Sequence, residues 1–219
     1  HLNAAAVEEI AAADSGKAPF ALLLLDPDRF KPVNDVFGHD AGDQVLKQVA
    51  ERVSKASVDA SCIARTGGDE FAILLSHKTG RSNIEFVADK ILRYFESPFE
   101  VEEKPVRICA SIGISFYPSA GDDAEALFRH ADVALYNAKR NGRNRYCLYA
   151  EEMDSGVREM SDLALDIRRG LRENEFIPYF QPLVDLRSGR AVGMEILARW
   201  QHPVHGLVAP DRFIPVAEA

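Results

Sequence analysis

The sequence predicts an α+β domain over residues 1–150, with one mixed central sheet and flanking helices, followed by the opening of a second domain over residues 151–219. Three observations carry this. Phe20-Ala21-Leu22-Leu23-Leu24-Leu25 is a continuous apolar run, too short for an isolated helix, and reads as a central strand covered on both faces. Residues 62–66 and 71–75 are apolar and β-branched runs joined through Gly67-Gly68-Asp69-Glu70, a strand, a tight turn and a second strand. Residues 43–56 and 83–95 repeat apolar side chains at three- and four-residue spacing, as sheet-covering helices do. The reversal at the hairpin and the lone crossovers favour α+β over a doubly wound sheet.

In chain order, residues 3–13 are Ala-rich and helical in propensity. The strand from Phe20 stops at Asp26-Pro27-Asp28, because Pro27 cannot donate to a sheet ladder. Residues 29–37 form a short helix and residues 38–42 a turn. The helix 43–56 turns Val45, Leu46, Val49 and Val53 inward; the helix 83–95 does so with Ile84, Val87, Ile91 and Phe95. Strands follow at 99–102 and 106–116. A helix over 123–141 stops at Gly142, and residues 145–149 are a last strand.

The polar stretch 151–156 marks a boundary near residue 150. Val157, Met160, Ala164, Ile167 and Leu171 then form an amphipathic helix face. Strands at 176–186 and 191–197 meet at the turn Arg187-Ser188-Gly189-Arg190, and the chain closes in a new helix. Residues 151–219 are too few to bury a stable core alone.

Composition narrows the function. Of 219 residues, 47% are hydrophobic and 27% charged, ordinary for a globular protein. No apolar run approaches the roughly 20 residues of a membrane helix, so no direct membrane contact is expected. The net charge of −8, with no basic stripe, argues against nucleic acid as a partner. Cys62, Cys109 and Cys147 are widely spaced and are expected as buried small hydrophobes in a reducing cytoplasm. The start at His1-Leu2-Asn3, without an initiator Met or a signal peptide, suggests a piece of a longer protein.

The candidate chemistry lies at the strand ends. Asp26 closes the first strand and Asp69-Glu70 sits at the hairpin. If those strands are neighbours, three carboxylates converge, and such a cluster is stable only around a cation. Oxygen ligands without His or Cys point to Mg²⁺ or Mn²⁺. Arg29-Phe30-Lys31 opens a helix, where backbone N–H groups and the Lys31 charge favour an anion. Lys139 and Arg143, four apart, project from one side of a helix end, where they either complement the macrodipole or clamp phosphate. Asn34 and Asp43 suit a purine base, since an Asp carboxylate matches the adjacent N1–H and N2–H₂ donors of guanine. Their structural alternatives are a turn residue and a helix N-cap. Neither a P-loop nor a dinucleotide-binding glycine fingerprint is present.

The segments Asp26-Pro27-Asp28-Arg29-Phe30-Lys31, Asn34-Asp35, Gly38-His39, Gly42-Asp43, Gly67-Gly68-Asp69-Glu70-Phe71 and residues 138–144 resemble the GGDEF domains in order and spacing across residues 20–149. That family comprises diguanylate cyclases, which join two GTP molecules into cyclic di-GMP, on a fold like the palm of nucleotidyl cyclases and polymerases, with a ferredoxin-like core. The resemblance implies that Asp26, Asp69, Glu70 and the Pro27 carbonyl hold two divalent cations, with Asp69 or Glu70 as the catalytic base. It implies that Asn34 and Asp43 read guanine. Arg29, Phe30, Lys31, Lys139 and Arg143 would hold the phosphates, and catalysis would need a homodimer. Val58 and Ser61 stand where family members with product feedback carry an Arg-x-x-Asp motif, so inhibition through that site is not expected.

Residues 151–219 resemble the start of an EAL domain, a cyclic di-GMP phosphodiesterase built on a TIM-like barrel. The matching stretches are Tyr179-Phe180-Gln181-Pro182, residues 193–200 and residues 213–218. Glu195 falls on a metal position, with Gln181 and Arg199 on substrate positions. The signature reads Glu-Ile-Leu here rather than Glu-Ala-Leu. The family's other metal carboxylates and its catalytic Lys lie beyond Ala219, so this stretch is not expected to be a working phosphodiesterase. An alternative function is a GTP-binding regulatory module that controls an attached phosphodiesterase.

Overall fold

The computed structural model describes residues 2–16, 19–76 and 81–217, without the side chains of 157–161 and 215. The expected helix-face side chains Val157 and Met160, and Glu218, lie outside the described residues. The chain divides into two compact units, His1–Met153 and Asp154–Ala219.

The first unit runs α1 (Leu2–Asp14), β1 (Phe20–Pro27), α2 (Lys31–Phe37), α3 (His39–Ala56), β2 (Ala60–Gly67), β3 (Glu70–Ser76), α4 (Arg81–Glu96), β4 (Phe99–Val101), β5 (Lys104–Val106), β6 (Ala110–Tyr117), α5 (Ala124–Arg140) and β7 (Arg145–Leu148). Five strands form one sheet in the order β2-β3-β1-β6-β7. The pairings are antiparallel except β6 with β7, which is parallel, so the sheet is mixed.

The apolar run of β1 makes it central. Alternate side chains leave opposite faces of a strand. Ala21, Leu23 and Leu25 join the core formed with Val45, Val49 and Val53 of α3 and Ile84 and Ile91 of α4. Phe20, Leu22 and Leu24 join Leu127, Ala131 and Leu135 of α5 and Ala6 of α1. A strand buried on both faces has no room for alternating polar residues, hence six consecutive apolar side chains. Arg52 of α3 fastens the end of α4, donating to the carbonyls of Tyr94, Ser97 and Pro98 at 2.9, 2.6 and 2.5 Å.

Several boundaries differ from expectation. The expected turn at 38–42 is mostly helix: α3 begins at His39, and Gly38 (φ 84) is the break between α2 and α3. The helix expected from residue 29 begins at Lys31, because Arg29 has a left-handed backbone (φ 58) that no helix includes. Gly67 pairs with Glu70, so the hairpin loop is Gly68-Asp69, and Gly68 (φ 54) supplies the left-handed residue. The strand expected over 106–116 is divided. Glu102 and Glu103 (φ 49 and 62) turn residues 104–106 back onto β4, and β6 starts at Ala110. Cys109 therefore lies outside the strand and is exposed, not buried; Cys62 and Cys147 are half-buried.

The second unit contains α6 (Glu152–Arg172), β8 (Phe176–Val184), β9 (Ala191–His202), β10 (Gly206–Val208) and α7 (Pro210–Ala217), with a three-stranded antiparallel sheet in the order β10-β9-β8. Its small core joins Ile167, Trp200, Val208 and Phe213. The helix face differs from the expected one: Leu171 is 63% exposed, and Leu163 packs on the core beside Ile167. Gly170 lets the Trp200 indole approach, since a Cβ there would stand 2.9 Å from its Nε1. Among the described residues no helix is long and apolar enough to cross a membrane.

Gly113 sets the fit of α5 on β6. A Cβ at this position would lie 2.0 Å from the Ala131 carbonyl oxygen and 2.2 Å from the Leu135 nitrogen, both backbone atoms of α5. Gly113→Ala must push the helix off the sheet and is expected to destabilise the fold by about 3 kcal/mol. The shift of the urea midpoint at unchanged slope measures it; a midpoint equal to the parent's would refute this packing.

Candidate active site

The site is built from the ends of β1 and β3. Their antiparallel register runs from Phe20 opposite Ser76 to Leu25 opposite Phe71. One step further, Asp26 stands abreast of Glu70, the first residue of β3. Asp69 precedes it in the hairpin loop. The carboxylates feel one another: burial pushes the Asp26 carboxyl above its usual range, and Asp69 and Asp28 add to the push. Partial burial, and next the Asp26 charge, raise Glu70 in the same way.

Lys139, from the last turn of α5, answers this charge. Its Nζ lies 2.8 Å from Asp26 Oδ2, and the Asp26 side chain is only 14% exposed. The ammonium opposes the upward push on Asp26 without cancelling it. Arg143 lies beyond the end of α5, with Nε 4.0 Å from Asp28 Oδ1. Gly142 (φ 111) terminates that helix, and the Arg143 N–H returns to the Ala138 carbonyl at 3.1 Å, a Schellman closure.

A cavity of about 330 Å³ opens beside the hairpin tip, lined by Phe30, Lys31, Asn34, His39, Asp43, Leu46, Arg65, Gly68 and Asp69. It brings five sequence-predicted residues (Phe30, Lys31, Asn34, Asp43 and Asp69) to one place, at the small end of the range for small-molecule sites. Asp43 is in the second turn of α3, so it is not an N-cap. Gly42 is buried and clears space for Asn34, since a Cβ there would meet Asn34 Oδ1 at 1.9 Å. Phe30 is 5% exposed and belongs to the core as well as lining the cavity. Arg29 and Arg143 do not line this cavity. They line a second one of about 640 Å³, with Asp28, Phe37, Arg107 and Cys109. His39, part of the matching Gly38-His39 segment, and Arg65 carry no site role from the sequence alone. Arg65 holds the hairpin tip by donating from Nε to the Gly68 carbonyl at 2.7 Å, a contact across a turn that spacing alone does not signal.

The donor set suits a hard divalent cation: Asp26, Asp69 and Glu70 offer oxygen only, and burial and mutual repulsion raise two of them. Among the described residues no group of three His, Cys, Asp or Glu side chains is placed to hold a metal ion by itself. Mg²⁺ commonly completes its shell with water and substrate phosphate rather than protein alone.

In the second unit, Gln181 and Glu195 are directly opposed across β8 and β9, and Arg199 falls on the same face as Glu195. Gln181 and Glu195 are exposed and Arg199 is half-buried. The Arg199 guanidinium lies 5.4 Å from the centre of the Tyr179 ring.

Residues 1–145 match the family described as "Diguanylate cyclase, GGDEF domain". The chain belongs to the GGDEF family. Residues 164–219 match the EAL domain, so the order is GGDEF followed by EAL. Over 200 residues the chain is 41% identical to the bifunctional diguanylate cyclase/cyclic di-GMP phosphodiesterase MucR of Pseudomonas aeruginosa, covering 91% of this chain and 29% of that protein. Over 206 residues it is 38% identical to the cyclic di-GMP phosphodiesterase PdeR of Escherichia coli, covering 94% and 31%. It thus spans under a third of the length of these curated relatives. The solved GGDEF domain of TpbB (YfiN) from Pseudomonas aeruginosa superposes with a TM-score of 0.66 at 34% identity, covering 69% of this chain and 88% of that one. The mixed sheet and its flanking helices are thus the GGDEF fold.

The Asp26–Lys139 pair yields a prediction for the GGDEF domain. Removing the ammonium removes the principal influence holding Asp26 down. In Lys139→Met, without metal or nucleotide, the Asp26 carboxyl is expected to titrate at higher pH than in the parent. Side-chain carboxyl NMR across a pH series checks it, and an unmoved or lowered midpoint refutes the contact.

Proposed function

We propose that this chain is a diguanylate cyclase, condensing two GTP molecules into cyclic di-GMP and two pyrophosphates. The observation that carries the reading is the β1–β3 register, which sets Asp26 abreast of Glu70 while Asp69 faces the same cavity as Asn34 and Asp43. Membership of the GGDEF family supports it.

In this reading the guanine enters the cavity of α2 and α3. The Asp43 carboxylate accepts from N1–H and N2–H₂, and Asn34 offers its amide to the base edge. Adenine lacks that pair of donors, so Asp43 sets the specificity. Lys31, Lys139 and Arg143, with the amides of Arg29 and Phe30, hold the β- and γ-phosphates. Asp26, Asp69, Glu70 and the Pro27 carbonyl would hold Mg²⁺ or Mn²⁺, which when bound would lower the pKa of the ribose 3′-OH and neutralise the departing pyrophosphate. Lys139 would then exchange its partner, from Asp26 to phosphate. The 3′-oxygen bonds to the α-phosphorus of the second GTP as that phosphorus loses its bond to pyrophosphate, and Asp69 or Glu70 accepts the 3′ proton. Each domain holds one GTP, so a twofold homodimer supplies the second substrate. Glu195, Gln181 and Arg199 would be the share of a phosphodiesterase site carried by these EAL residues.

Incubation with GTP and Mg²⁺, scoring cyclic di-GMP and pyrophosphate, tests the proposal. The Asp69→Ala, Glu70→Ala variant is expected to lose at least about a hundredfold in rate, the scale of general-base catalysis. Asp43→Ala is expected to bind GTP about tenfold more weakly, having lost charge-assisted hydrogen bonds. GTP uptake without either product favours a second reading, in which the domain regulates an attached phosphodiesterase; the similar PdeR carries the name of a cyclic di-GMP phosphodiesterase.

A further inference from the structure

Asp28 follows Asp26 by two residues, yet its surroundings are different. Its side chain is 5% exposed. Oδ1 accepts from Ser111 Oγ at 2.8 Å, and Oδ2 accepts from the backbone N–H of Asn144 at 3.0 Å. Its own N–H donates to the Cys109 carbonyl at 2.8 Å. Asp28 thus ties together the end of β1, the start of β6 and the residue that leads into β7. Both carboxylate oxygens are engaged by donors from the sheet ends, which sets Asp28 apart from the site-facing acids Asp26 and Glu70.

The backbone it grips is strained. Gly142, Arg143 and Asn144 have φ values of 111, 61 and 48, three left-handed residues in a row. Two of them carry a Cβ, for which that region is unfavourable and persists only where the surroundings enforce it. One end of this turn is held by the Arg143 N–H on the Ala138 carbonyl. The other end is held by Asp28 on the Asn144 N–H. Arg143, between the two anchors, projects with about half of its side chain exposed, its Nε 4.0 Å from Asp28 Oδ1.

We infer that Asp28 is a positioning residue, whose buried carboxylate fixes the left-handed turn 142–144 on the end of β6 and so presents Arg143 to the β- and γ-phosphates of the nucleotide. This rests on the reading of Arg143 as a phosphate contact. Asp28 acts through Arg143 and touches neither guanine nor the reacting oxygen.

The test uses the full chain, with Asp28→Ala, Asp28→Asn, Arg143→Ala and the double variant Asp28→Ala, Arg143→Ala. An Asn can accept from the Asn144 N–H and donate to Ser111 Oγ, so it keeps the geometry and loses the charge. In nucleotide-free protein, amide exchange at Asn144 is expected to accelerate in Asp28→Ala and stay near the parent rate in Asp28→Asn. Asp28→Ala is expected to weaken GTP binding about tenfold, the scale of one charge-assisted contact, while GMP, lacking the β- and γ-phosphates, binds as to the parent. In the Arg143→Ala background the Asp28→Ala change should add nothing, because the two act as one unit. Unchanged Asn144 exchange in Asp28→Ala overturns the inference. So do equal losses for GTP and GMP, or full additivity with Arg143→Ala. Should Asp28→Ala not fold, Asp28→Ser, too short to reach Asn144, takes its place. A parent chain that binds no GTP sinks the nucleotide reading, while the exchange at Asn144 still decides whether Asp28 holds the turn.

Discussion

Everything at the site depends on the pairing of β1 with β3. The two strands are antiparallel, and their register ends with Leu25 opposite Phe71. That register is enforced by burial, since a slip of one residue would exchange the two faces of β1 and turn both cores inside out. Because the apolar run ends where it does, Asp26 comes level with Glu70. The carboxylates are therefore brought together by the hydrophobic core, which tolerates their repulsion because the alternative registers are far worse.

The repulsion is partly answered by the helix that covers the same face of the sheet as Phe20, Leu22 and Leu24. α5 packs against β1 and β6, with Gly113 allowing the close approach, and its last turn delivers Lys139 to Asp26. The site is thus poised with one internal cation on its most buried acid. In the proposed reaction Lys139 would exchange Asp26 for a phosphate as a divalent cation took its place. Asp28 extends the same logic. It spends its charge on a backbone and a hydroxyl donor at two strand ends, which holds the turn carrying Arg143 in a conformation it would not adopt by itself.

Much of this was legible in the sequence, and particular residues show why. Val45, Val49 and Val53, and Ile84, Val87, Ile91 and Phe95, kept helical spacing and all are buried. The strand of β1 was marked by its uninterrupted apolar character. Short-range chemistry was harder to read. Gly38, His39 and Gly42 look like a turn by composition, yet one left-handed residue at Gly38 suffices, and Gly42 serves to admit Asn34 inside the helix pair. The break of the strand expected over 106–116 escaped because residues 104–106 pair locally with β4 rather than with the main sheet. Leu171 failed as a core position because the helix face is set by where Trp200 meets Gly170, a contact between distant residues.

The sequence by itself determined the α+β class, the central strand, the main amphipathic helices and the GGDEF followed by EAL pattern. These follow from local periodicity and from side-chain types at fixed spacing, which a linear chain displays in full. Only the tertiary structure decided that Asp26 holds Lys139, that Asp43 points from the second turn of a helix rather than capping it, and that Asp28 is buried under the turn before β7. The first and last of these depend on which residues become neighbours across a hundred positions or more, which packing sets and spacing cannot; the second turns on the single left-handed residue Gly38, which starts the helix earlier than composition suggests.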